Sequence, residues 1–459
     1  MATTDRVRID RTHLGRLLAR ERELFAERTP GSRERFAESS RYLIGGVPMQ
    51  WMEMWVGGHP VFFERAHGNR ITDVDGNELI DFCLGDTGAM AGHSPEPTFA
   101  AVAHRMQELG GVTTMLPSDD ATWVGRDLAR RFGMAKWTFA LTATDANRWA
   151  LRTCRVLTGR PRTLVMSYNY HGSVDESMIV LDEDGRPVSR PGNIGPQVDP
   201  TVTSRVVEFN DLAALERELA HGDVACVLAE PALTNIGIVL PDPGYWDEAQ
   251  RLIRAAGALL IIDETHTLSA GPGGCTRAWG LEPDLVTLGK SIAGGVPIGA
   301  YGVSVAVADR IAAEIDTGMV DTSGIGGTLA GNPLCLAAAR GTLEHVLTDE
   351  AFARMIELGS RFHHGVEEII DRHRVPWTVE GLGARAELRF AAVKPRNGGE
   401  SRAAHDAEVE EWLHLYLLNR GILITPFHNM SLMCPATSAD DVDRHLALLD
   451  EGTAELVAG

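Results

Sequence analysis

The chain has 459 residues with 43 basic and 63 acidic side chains, which give a formal net charge of −20. Hydrophobic residues make up 44% and charged residues 23%, as is typical of a globular protein. The length allows one large α/β domain plus a smaller one, or about three average domains. A surface this acidic repels phosphate backbones and anionic lipids, so we expect no nucleic acid and no membrane among its partners.

The six cysteines follow no metal-binding or disulfide pattern. None stands in a CxxC pair, whereas zinc sites and disulfide scaffolds use tight, repeated spacings. The N-terminal sequence MATTDRVRIDR is polar, unlike a signal peptide. The longest apolar run, 255–262, is far shorter than the roughly 20 residues of a membrane-spanning helix. We therefore expect free thiols, no metal site and a cytoplasmic location.

The N-terminal part of the chain predicts helices followed by a hairpin. Residues 10–40 have apolar positions at helical spacing and predict one or two surface helices. In 70–82, the pair Asp75-Gly76 lies between two short β-prone runs and predicts a hairpin turn. Further along, the proline- and glycine-containing segment 182–203 predicts a long surface loop.

Between 137 and 303, short apolar runs alternate with amphipathic segments. Continuous apolar runs are typical of strands buried on both faces, and amphipathic segments are typical of helices that cover them. The alternation predicts an α/β fold in which a mostly parallel sheet is covered by helices on both sides. The predicted strands are WTFAL, TLVMSY, VVEF, VACVLA, ALLIID, LVTLG and IGAYGV, and the predicted helices span 146–157, 212–220 and 245–256.

The C-terminal part predicts a smaller lobe. A helical pattern over 331–345 is followed by two amphipathic helices, and a last helix begins at 439. Strand patterns at 385–390 and 422–425 lie between them. This mixture favours a separate α+β domain.

Two strand ends carry an acid and an amine. Asp263 ends ALLIID and Lys290 follows LVTLG, and reactive groups in open α/β sheets lie at the carboxyl ends of strands. A lysine there can form a Schiff base with an aldehyde cofactor, and an aspartate suits the ring nitrogen of pyridoxal phosphate (PLP). Judged by spacing alone, a solvated lysine and a turn-capping aspartate are the simpler interpretation.

Other strand ends carry polar or aromatic residues. Thr142, Ala143 and Thr144 lie where a strand ends and a helix begins, which suits a phosphate as well as it suits an ordinary N-cap. Tyr170, followed by Gly172 in a tight turn, either stacks on a cofactor ring or packs in the core.

Two further residues extend this set. Glu230 follows the strand VACVLA and is either a site acid or an acid at the start of a helix. Thr328, in the glycine-rich run GGTLAGNP, supplies another hydroxyl for a phosphate.

In order, the motifs LTATDAN, NYHG, AEP, IIDET, TLGKSIAGGVPIGAYG and GGTLAGNP resemble those of the class III, fold-type I PLP-dependent aminotransferases. The resemblance runs from about residue 45 to the C-terminus and is greatest to the branch with glutamate-1-semialdehyde aminomutases and β-amino-acid transaminases. It implies a three-layer α/β/α large domain, 76–338, that binds PLP, and a small α+β domain, 339–459. An N-terminal segment, 1–75, would pack with the small domain, and a homodimer would share its active sites.

The resemblance also implies a role for each motif residue. Lys290 would hold PLP as a Schiff base and move the reacting proton, and Asp263 would pair with the ring nitrogen. Tyr170 would cover one face of the ring and Thr265 the other. The remaining implied cofactor contacts are Thr142, Ala143, Thr144, Gly172, Glu230 and, from the neighbouring subunit, Thr328.

The chain departs from the family pattern at several of these positions. Ala143 stands where the family has glycine, and Thr265 stands in place of the usual valine. An uncommon His266 follows Thr265. It either faces substrate or is a hydrogen-bonded loop histidine, and we expect the second.

The substrate pocket is where the sequence departs most. Many relatives bind a substrate carboxylate with an arginine, which is missing in this chain near Met49 and in 425–428. Trp51 and Trp55 would line an apolar pocket instead, although core or interface packing suits them equally.

Two other residues are candidates for substrate contacts. Asp86, in LGDTG, would attract a second amino or hydroxyl group, unless it only caps its loop. Arg385, or Arg389 on the same strand, would replace the missing arginine.

The sequence therefore predicts an aminotransferase that moves an amino group from a primary amine, an ω-amino acid or a β-amino acid to a keto acid in a ping-pong cycle. The alternatives are an intramolecular aminomutase of the glutamate-1-semialdehyde type and a PLP-dependent lyase or decarboxylase. A PLP-binding regulator would need a DNA-binding domain, of which the first 40 residues give no sign.

Overall fold

The computed structural model describes residues 6–315, 324–425 and 427–459. The chain divides into two compact units. The large unit comprises Pro95–Phe352 and Pro395–Ala403, and the small unit comprises Met1–Ser94, Ala353–Lys394 and Ala404–Gly459. The domain limits at 75 and 338 stay a prediction, because a compact unit need not be a domain that folds alone.

Strands and helices are numbered in chain order over the described ranges. The strands are β1 (Phe63–His67), β2 (Arg70–Asp73), β3 (Glu78–Asp81), β4 (Lys136–Ala140), β5 (Arg162–Met166), β6 (Ile179–Leu181), β7 (Pro187–Ser189), β8 (Ser204–Val207), β9 (Val224–Ala229), β10 (Leu259–Asp263), β11 (Leu285–Leu288), β12 (Gly299–Val303), β13 (Thr378–Leu382), β14 (Arg385–Arg389), β15 (Ile422–Leu423) and β16 (Met430–Leu432). The helices are α1 (Arg11–Arg28), α2 (Pro30–Ser39), α3 (Glu96–His104), α4 (Asp119–Phe132), α5 (Ala143–Thr158), α6 (Leu212–Leu219), α7 (Tyr245–Ala255), α8 (Gly274–Ala278), α9 (Val305–Glu314), α10 (Pro333–His345), α11 (Asp349–His373), α12 (Gly398–Ala403), α13 (Ala407–Asn419) and α14 (Ala439–Val457).

A seven-stranded sheet forms the centre of the large unit, in the order β4-β12-β11-β10-β9-β5-β8. These are the seven strands that the apolar runs predict. β12 runs antiparallel to both of its neighbours, and every other neighbouring pair is parallel. The mostly parallel sheet is therefore confirmed.

Helices cover both faces of this sheet. Alternate residues of β5 show why, because Leu164 and Met166 pack towards α6 and α7 whereas Val165 packs towards α5. All three side chains are fully buried. This confirms the predicted three-layer α/β/α arrangement. The segment 182–203 differs from the prediction, since β7 pairs with β6 in a short antiparallel hairpin there.

The small unit is an α+β structure with two sheets, in the orders β1-β2-β3-β15 and β13-β14-β16. The predicted hairpin is present, because β2 pairs antiparallel with β3 and Gly76 turns between them with φ +84°. Among the described residues, no helix is both long and apolar enough to cross a membrane. All six cysteines are buried, free thiols.

His445 is a buried base of the small unit. Its ring lies between those of Phe82 and Phe362, with centroid distances of 4.9 and 4.7 Å. Burial disfavours the charged imidazolium and lowers the pKa of His445 to about 3.

The lowered pKa of His445 predicts that the folded protein loses stability in mild acid. Unfolding returns the imidazole to a pKa of about 6.5, so below that pH the unfolded chain binds a proton that the folded chain does not. The contribution of the neutral His445 to the free energy of unfolding is complete above pH 6.5 and is about 1.4 kcal/mol smaller at pH 5.5. We expect His445→Leu to remove this part of the difference between unfolding free energies measured in urea at pH 7.5 and 5.5. The exposed His221→Leu is the control, and an unchanged pH dependence in His445→Leu would contradict the assignment.

Candidate active site

The carboxyl ends of β10 and β11 bring the predicted acid and amine to one edge of the sheet. The two strands are parallel neighbours, and Asp263 is paired in register with Thr287. Lys290 follows three residues later, at the start of a short 3-10 turn, Lys290–Ala293. The structure thus places Asp263 and Lys290 on adjacent strands of the same edge, as the sequence predicts.

Lys290 has an unusual backbone and a close partner. Its φ of +52° lies in the left-handed region, which costs energy for a residue with a side chain and is common at functional sites. Its Nζ lies 2.8 Å from Nε2 of His266, which is buried just beyond the end of β10. His266, which we expected to be a hydrogen-bonded loop histidine, is therefore in contact with the amine of Lys290.

Asp263 is a buried carboxylate held by hydrogen bonds. Asn147 Nδ2 and His171 Nδ1 each lie 2.8 Å from its Oδ2, and the backbone N–H of Thr265 donates to Oδ1 at 3.0 Å. Burial pushes the pKa of Asp263 upwards, but the hydrogen bonds from His171, Thr265 and Asn147 outweigh it, so the pKa lies below its ordinary value. The side chain is therefore a carboxylate at neutral pH.

The partners of Asp263 are themselves oriented by a second set of contacts. Asn169 Nδ2 lies 2.8 Å from His171 Nε2 and donates to it, so the His171 proton is on Nδ1 and faces the carboxylate. Thr287 Oγ1 donates to Asn147 Oδ1 at 2.6 Å, which leaves the amide N–H₂ group to face Asp263. These contacts fix the direction of every donor around the acid.

Sequence reasoning missed Asn147 and His171. His171 lies inside the NYHG motif, between Tyr170 and Gly172, which were both chosen. Asn147 lies four residues after Ala143, one helical turn further along α5, and so on the same face. That spacing is the signal that could have found it.

The start of α5 is where the sequence predicts that a phosphate binds. Thr142 is the N-cap, and its side chain accepts the N–H of Asp145. The backbone N–H groups of Ala143 and Thr144 occupy the first helical turn, where no acceptor exists within a helix. A Cβ on Gly299 would lie only 2.1 Å from the Thr142 carbonyl oxygen, so the glycine lets the helix start approach the sheet.

The NYHG turn packs against that helix start. Gly172 has φ +79°, and a Cβ there would lie 2.0 Å from Thr144 Oγ1. The N–H of Ser173 donates to the same oxygen at 3.2 Å. Tyr170, the residue predicted to cover the cofactor ring, is half-buried in this turn.

Glu230 joins the NYHG turn to the end of β9. It is almost completely buried and accepts hydrogen bonds from the side chains of Thr234 and Asn235 and from the backbone N–H of Tyr170, at 3.4 Å. Burial raises the pKa of Glu230 above its ordinary value. The structure therefore brings Glu230 and Tyr170 together, as the strand-end pattern predicts.

Thr328 is the last of the predicted cofactor contacts. It is exposed and lines a cavity of about 670 Å³ together with residues 113–117. No hydrogen bond described for this chain joins it to Lys290 or Asp263. Its predicted role requires a second subunit and stays a prediction.

The four predicted substrate residues all belong to the small unit. The Trp51 ring lies 4.9 Å from that of Phe427, and Trp55 lines an apolar cavity of about 340 Å³. Asp86 adopts φ +50° in a turn. Arg385 is fully buried, and its guanidinium lies 3.9 Å from the carboxylate of Glu387.

Comparison with known proteins identifies the family. The model of the class-III aminotransferases matches residues 52–449. The chain belongs to the class-III aminotransferase family. Glutamate-1-semialdehyde 2,1-aminomutase of Chloroflexus aggregans is 33% identical over 447 residues, which are 94% of this chain and 99% of the relative.

Solved structures agree with this membership. A glutamate-1-semialdehyde aminomutase from Pseudomonas aeruginosa PAO1 has a TM-score of 0.95 and 47% identity, covering 98% of this chain and 99% of that one. A variant of that protein has been solved in complex with PMP. An ω-transaminase from Sphaerobacter thermophilus has a TM-score of 0.84 and 28% identity, covering 95% and 100%.

PLP is the cofactor of this class-III enzyme, and the described residues fit it. The site offers an amine, a buried carboxylate and the free N–H groups of a helix start, which match the aldehyde, ring nitrogen and phosphate of PLP. Thr265 gives a further sign, because its Oγ1 is buried without a hydrogen-bond partner among the described residues. A bound group beside it would supply that partner.

The network around Asp263 predicts the effect of removing one donor. In His171→Ala the carboxylate loses a hydrogen bond to a charged group, which costs about 1.5–3 kcal/mol. We expect PLP to bind roughly tenfold to hundredfold more weakly, measured by visible absorption on titrating apoprotein with PLP. His221→Ala, which removes an exposed histidine outside this network, is the control and should bind PLP as the wild type does. Wild-type PLP affinity in His171→Ala would refute this role.

Proposed function

We propose that this class-III enzyme is an intramolecular aminomutase of the glutamate-1-semialdehyde type. The observation that carries the proposal is the order of similarity, since identity to the aminomutase structure far exceeds identity to the ω-transaminase. The curated relatives at about 30% identity bear the same aminomutase name. We therefore favour the alternative from the sequence analysis over the two-substrate aminotransferase that was its main prediction.

The reaction needs one substrate and no external acceptor. Moving the amino group of glutamate 1-semialdehyde from carbon 2 to carbon 1, while the carbonyl moves the other way, gives 5-amino-4-oxopentanoate. No atom is gained or lost, so neither a separate amine donor nor a keto acid takes part. A cytoplasmic location is part of the proposal, and the six unbridged cysteines agree with it.

Each site residue has a defined task. When bound, PLP supplies an aldehyde that takes up the amino group and a ring that withdraws electrons from the adjacent carbon. The Asp263 carboxylate would accept the ring N–H, and its lowered pKa keeps it ionised for this. The Lys290 amine would take and return the proton on the reacting carbon, as a general base and acid.

The remaining candidates would bind the rest of the cofactor. The N–H groups of Ala143 and Thr144, with the Thr142 cap, would hold the phosphate. Tyr170 and Thr265 would lie on the two faces of the ring. Gly172 and Glu230 would shape the turn that carries Tyr170.

The substrate carboxylate also needs a binding group, for which we propose Arg385. Arg385, Glu387 and Arg389 alternate along β14 and so share one face, where all three are buried. His428 Nδ1 lies 3.3 Å from the Glu387 carboxylate. Two guanidinium groups on one face attract a carboxylate, although Glu387 already lies near Arg385.

A homodimer would complete the site, with Thr328 of one subunit serving the other. Exposed apolar side chains support such an interface in the large unit, where large apolar surfaces are rarely left in water. These side chains include Met106, Leu109, Met115, Leu116 and Leu329. Met115 and Leu116 line the same 670 Å³ cavity as Thr328.

A transaminase acting on apolar amines is the second candidate. One observation favours it, namely the apolar cavity of about 340 Å³ lined by Trp55, Met52 and Phe62. A pocket of this kind would suit an apolar substrate better than a dicarboxylic acid derivative. The two candidates differ in whether an external keto acid is required.

The decisive measurement is therefore the dependence on keto acid. We expect the purified holoenzyme to convert glutamate 1-semialdehyde to 5-amino-4-oxopentanoate at the same rate with and without added pyruvate. Primary amines and ω- or β-amino acids should not react with pyruvate as acceptor. Amine consumption that appears only with pyruvate would reject the aminomutase in favour of the transaminase.

Two variants accompany this assay. Lys290→Ala should lower turnover by about 10²–10⁴-fold, the range of general acid–base catalysis. Lys136→Ala, which removes an exposed lysine at the start of β4, should retain wild-type turnover. Turnover at the wild-type rate in Lys290→Ala would exclude the lysine from the reaction.

The shared site predicts complementation between subunits. Thr328→Ala should weaken PLP binding about tenfold, the effect of losing one hydrogen bond to a charged group. A heterodimer of Lys290→Ala and Thr328→Ala subunits would contain one site with both defects and one with neither. We expect such mixed dimers to recover activity at that intact site at low PLP concentration. If each site used its own Thr328, mixing would restore nothing.

A further inference from the structure

His266 occupies a position that the cofactor chemistry described above does not use. It follows Thr265 at the carboxyl end of β10 and begins a 3-10 turn, Thr267–Ala270. The residue is 5% exposed, and its Nε2 lies 2.8 Å from Lys290 Nζ. The two side chains come from the ends of adjacent strands, so the contact is set by the sheet.

We propose that His266 is a catalytic partner of Lys290 and takes up the proton that the lysine must lose before its amine can react. The inference rests on the proposed role of Lys290 and deepens it. In the step, an Nζ–H bond of the ammonium breaks and an Nε2–H bond of the imidazole forms. The lysine becomes a neutral amine with a free electron pair, and the positive charge moves to the imidazole. The reverse transfer restores the ammonium, so protons and charge balance.

The contact gives the proton a direct path between the two side chains. In it one nitrogen donates and the other accepts. A transfer between Nζ and Nε2 along this contact requires no movement of either chain.

Three acids at the neighbouring strand ends, Asp263, Glu264 and Glu230, have hydrogen-bond donors of their own. Asp263 is occupied by Asn147, His171 and the Thr265 N–H. Glu264 is fully buried and accepts from the hydroxyls of Thr267 and Thr276 and from the backbone of Cys275 and Thr276. Glu230 accepts from Thr234, Asn235 and the Tyr170 N–H.

The choice of imidazole has a chemical consequence. A neutral imidazole accepts a hydrogen bond from the ammonium at Nε2 and can also bind the ammonium proton there. The histidine is thus suited to return the lysine to its reactive form in each cycle.

The lysine content of the chain makes the proposal directly testable. The sequence holds three lysines, at 136, 290 and 394. Lys136 is exposed, and Lys394 forms an ion pair with Glu380 at 2.9 Å. An amine-directed reagent therefore reports on Lys290 with two internal references in the same molecule.

The experiment labels PLP-free apoprotein with trinitrobenzenesulfonate, which reacts with neutral amines, and follows each lysine by mass spectrometry. The variants are His266→Gln and His266→Asn, whose amides accept a hydrogen bond from the ammonium but cannot take its proton. At pH 7 we expect both to lower the labelling rate of Lys290 roughly tenfold or more. The rates at Lys136 and Lys394 should stay unchanged. His221→Gln, a change at an exposed histidine, should leave all three rates at wild-type values.

The reactivity of the cysteines shows whether each variant is folded. The six buried cysteines should remain unreactive to a thiol reagent in every variant, which shows that the fold is intact. A Lys290 rate within twofold of wild type in a folded His266→Gln or His266→Asn protein would overturn the proposal. The labelling uses no substrate, so a slowed Lys290 in a protein without aminomutase activity would reject the proposed function alone.

Discussion

The site depends on one buried carboxylate that stays ionised. Burial without hydrogen bonds would raise the pKa of Asp263 until its carboxyl group was neutral. A neutral acid would not hold a protonated ring nitrogen. The donors from His171, Asn147 and the Thr265 backbone reverse that tendency and keep its pKa low. Each donor comes from a different part of the large unit, so the NYHG turn, α5 and β10 must all be in place before the acid has its charge. The charge of the Asp263 carboxylate therefore depends on the folding of all three segments.

Close backbone approach is the second requirement of the site. The start of α5 reaches the sheet edge because Gly299 has no side chain in the way, and the NYHG turn reaches α5 because Gly172 has none either. The glycines at these two contacts allow the N-terminus of α5, with its dipole and its N–H groups, to lie with the NYHG turn at one end of the strands. A fold of this type places hydrogen-bond donors at the strand ends. The two glycines determine how closely α5 approaches the sheet and how closely the NYHG turn approaches α5.

The sequence predicted the fold of the large unit well, because its strands are buried on both faces and stand out as apolar runs between amphipathic helices. The pair Asp263 and Lys290 followed from the same pattern, since strand ends of a parallel sheet meet at one edge. Contacts between distant side chains were not predictable in this way. His171 meets Asp263 across 92 positions and His266 meets Lys290 across 24, and no periodicity records such pairs. The hairpin strand β7 was missed because three residues are too few for an alternating pattern to show.

The turn that follows β10 shows how one short segment serves several purposes. Asp263 faces its network of donors, and Glu264 turns the other way into a buried set of hydroxyl and backbone donors that fix the turn itself. Thr265 leaves a buried hydroxyl without a partner in the described chain, and His266 reaches the lysine amine. The strand ends at Asp263, and Thr265 and His266 lie in the turn that follows, so these neighbours in sequence can meet different partners without conflict. Two of the departures from the family pattern, Thr265 and His266, fall in this turn, whereas Asp263 and Glu264 match the pattern. A change at His266 would alter the surroundings of the Lys290 amine without removing the hydrogen bonds that hold Asp263 and Glu264.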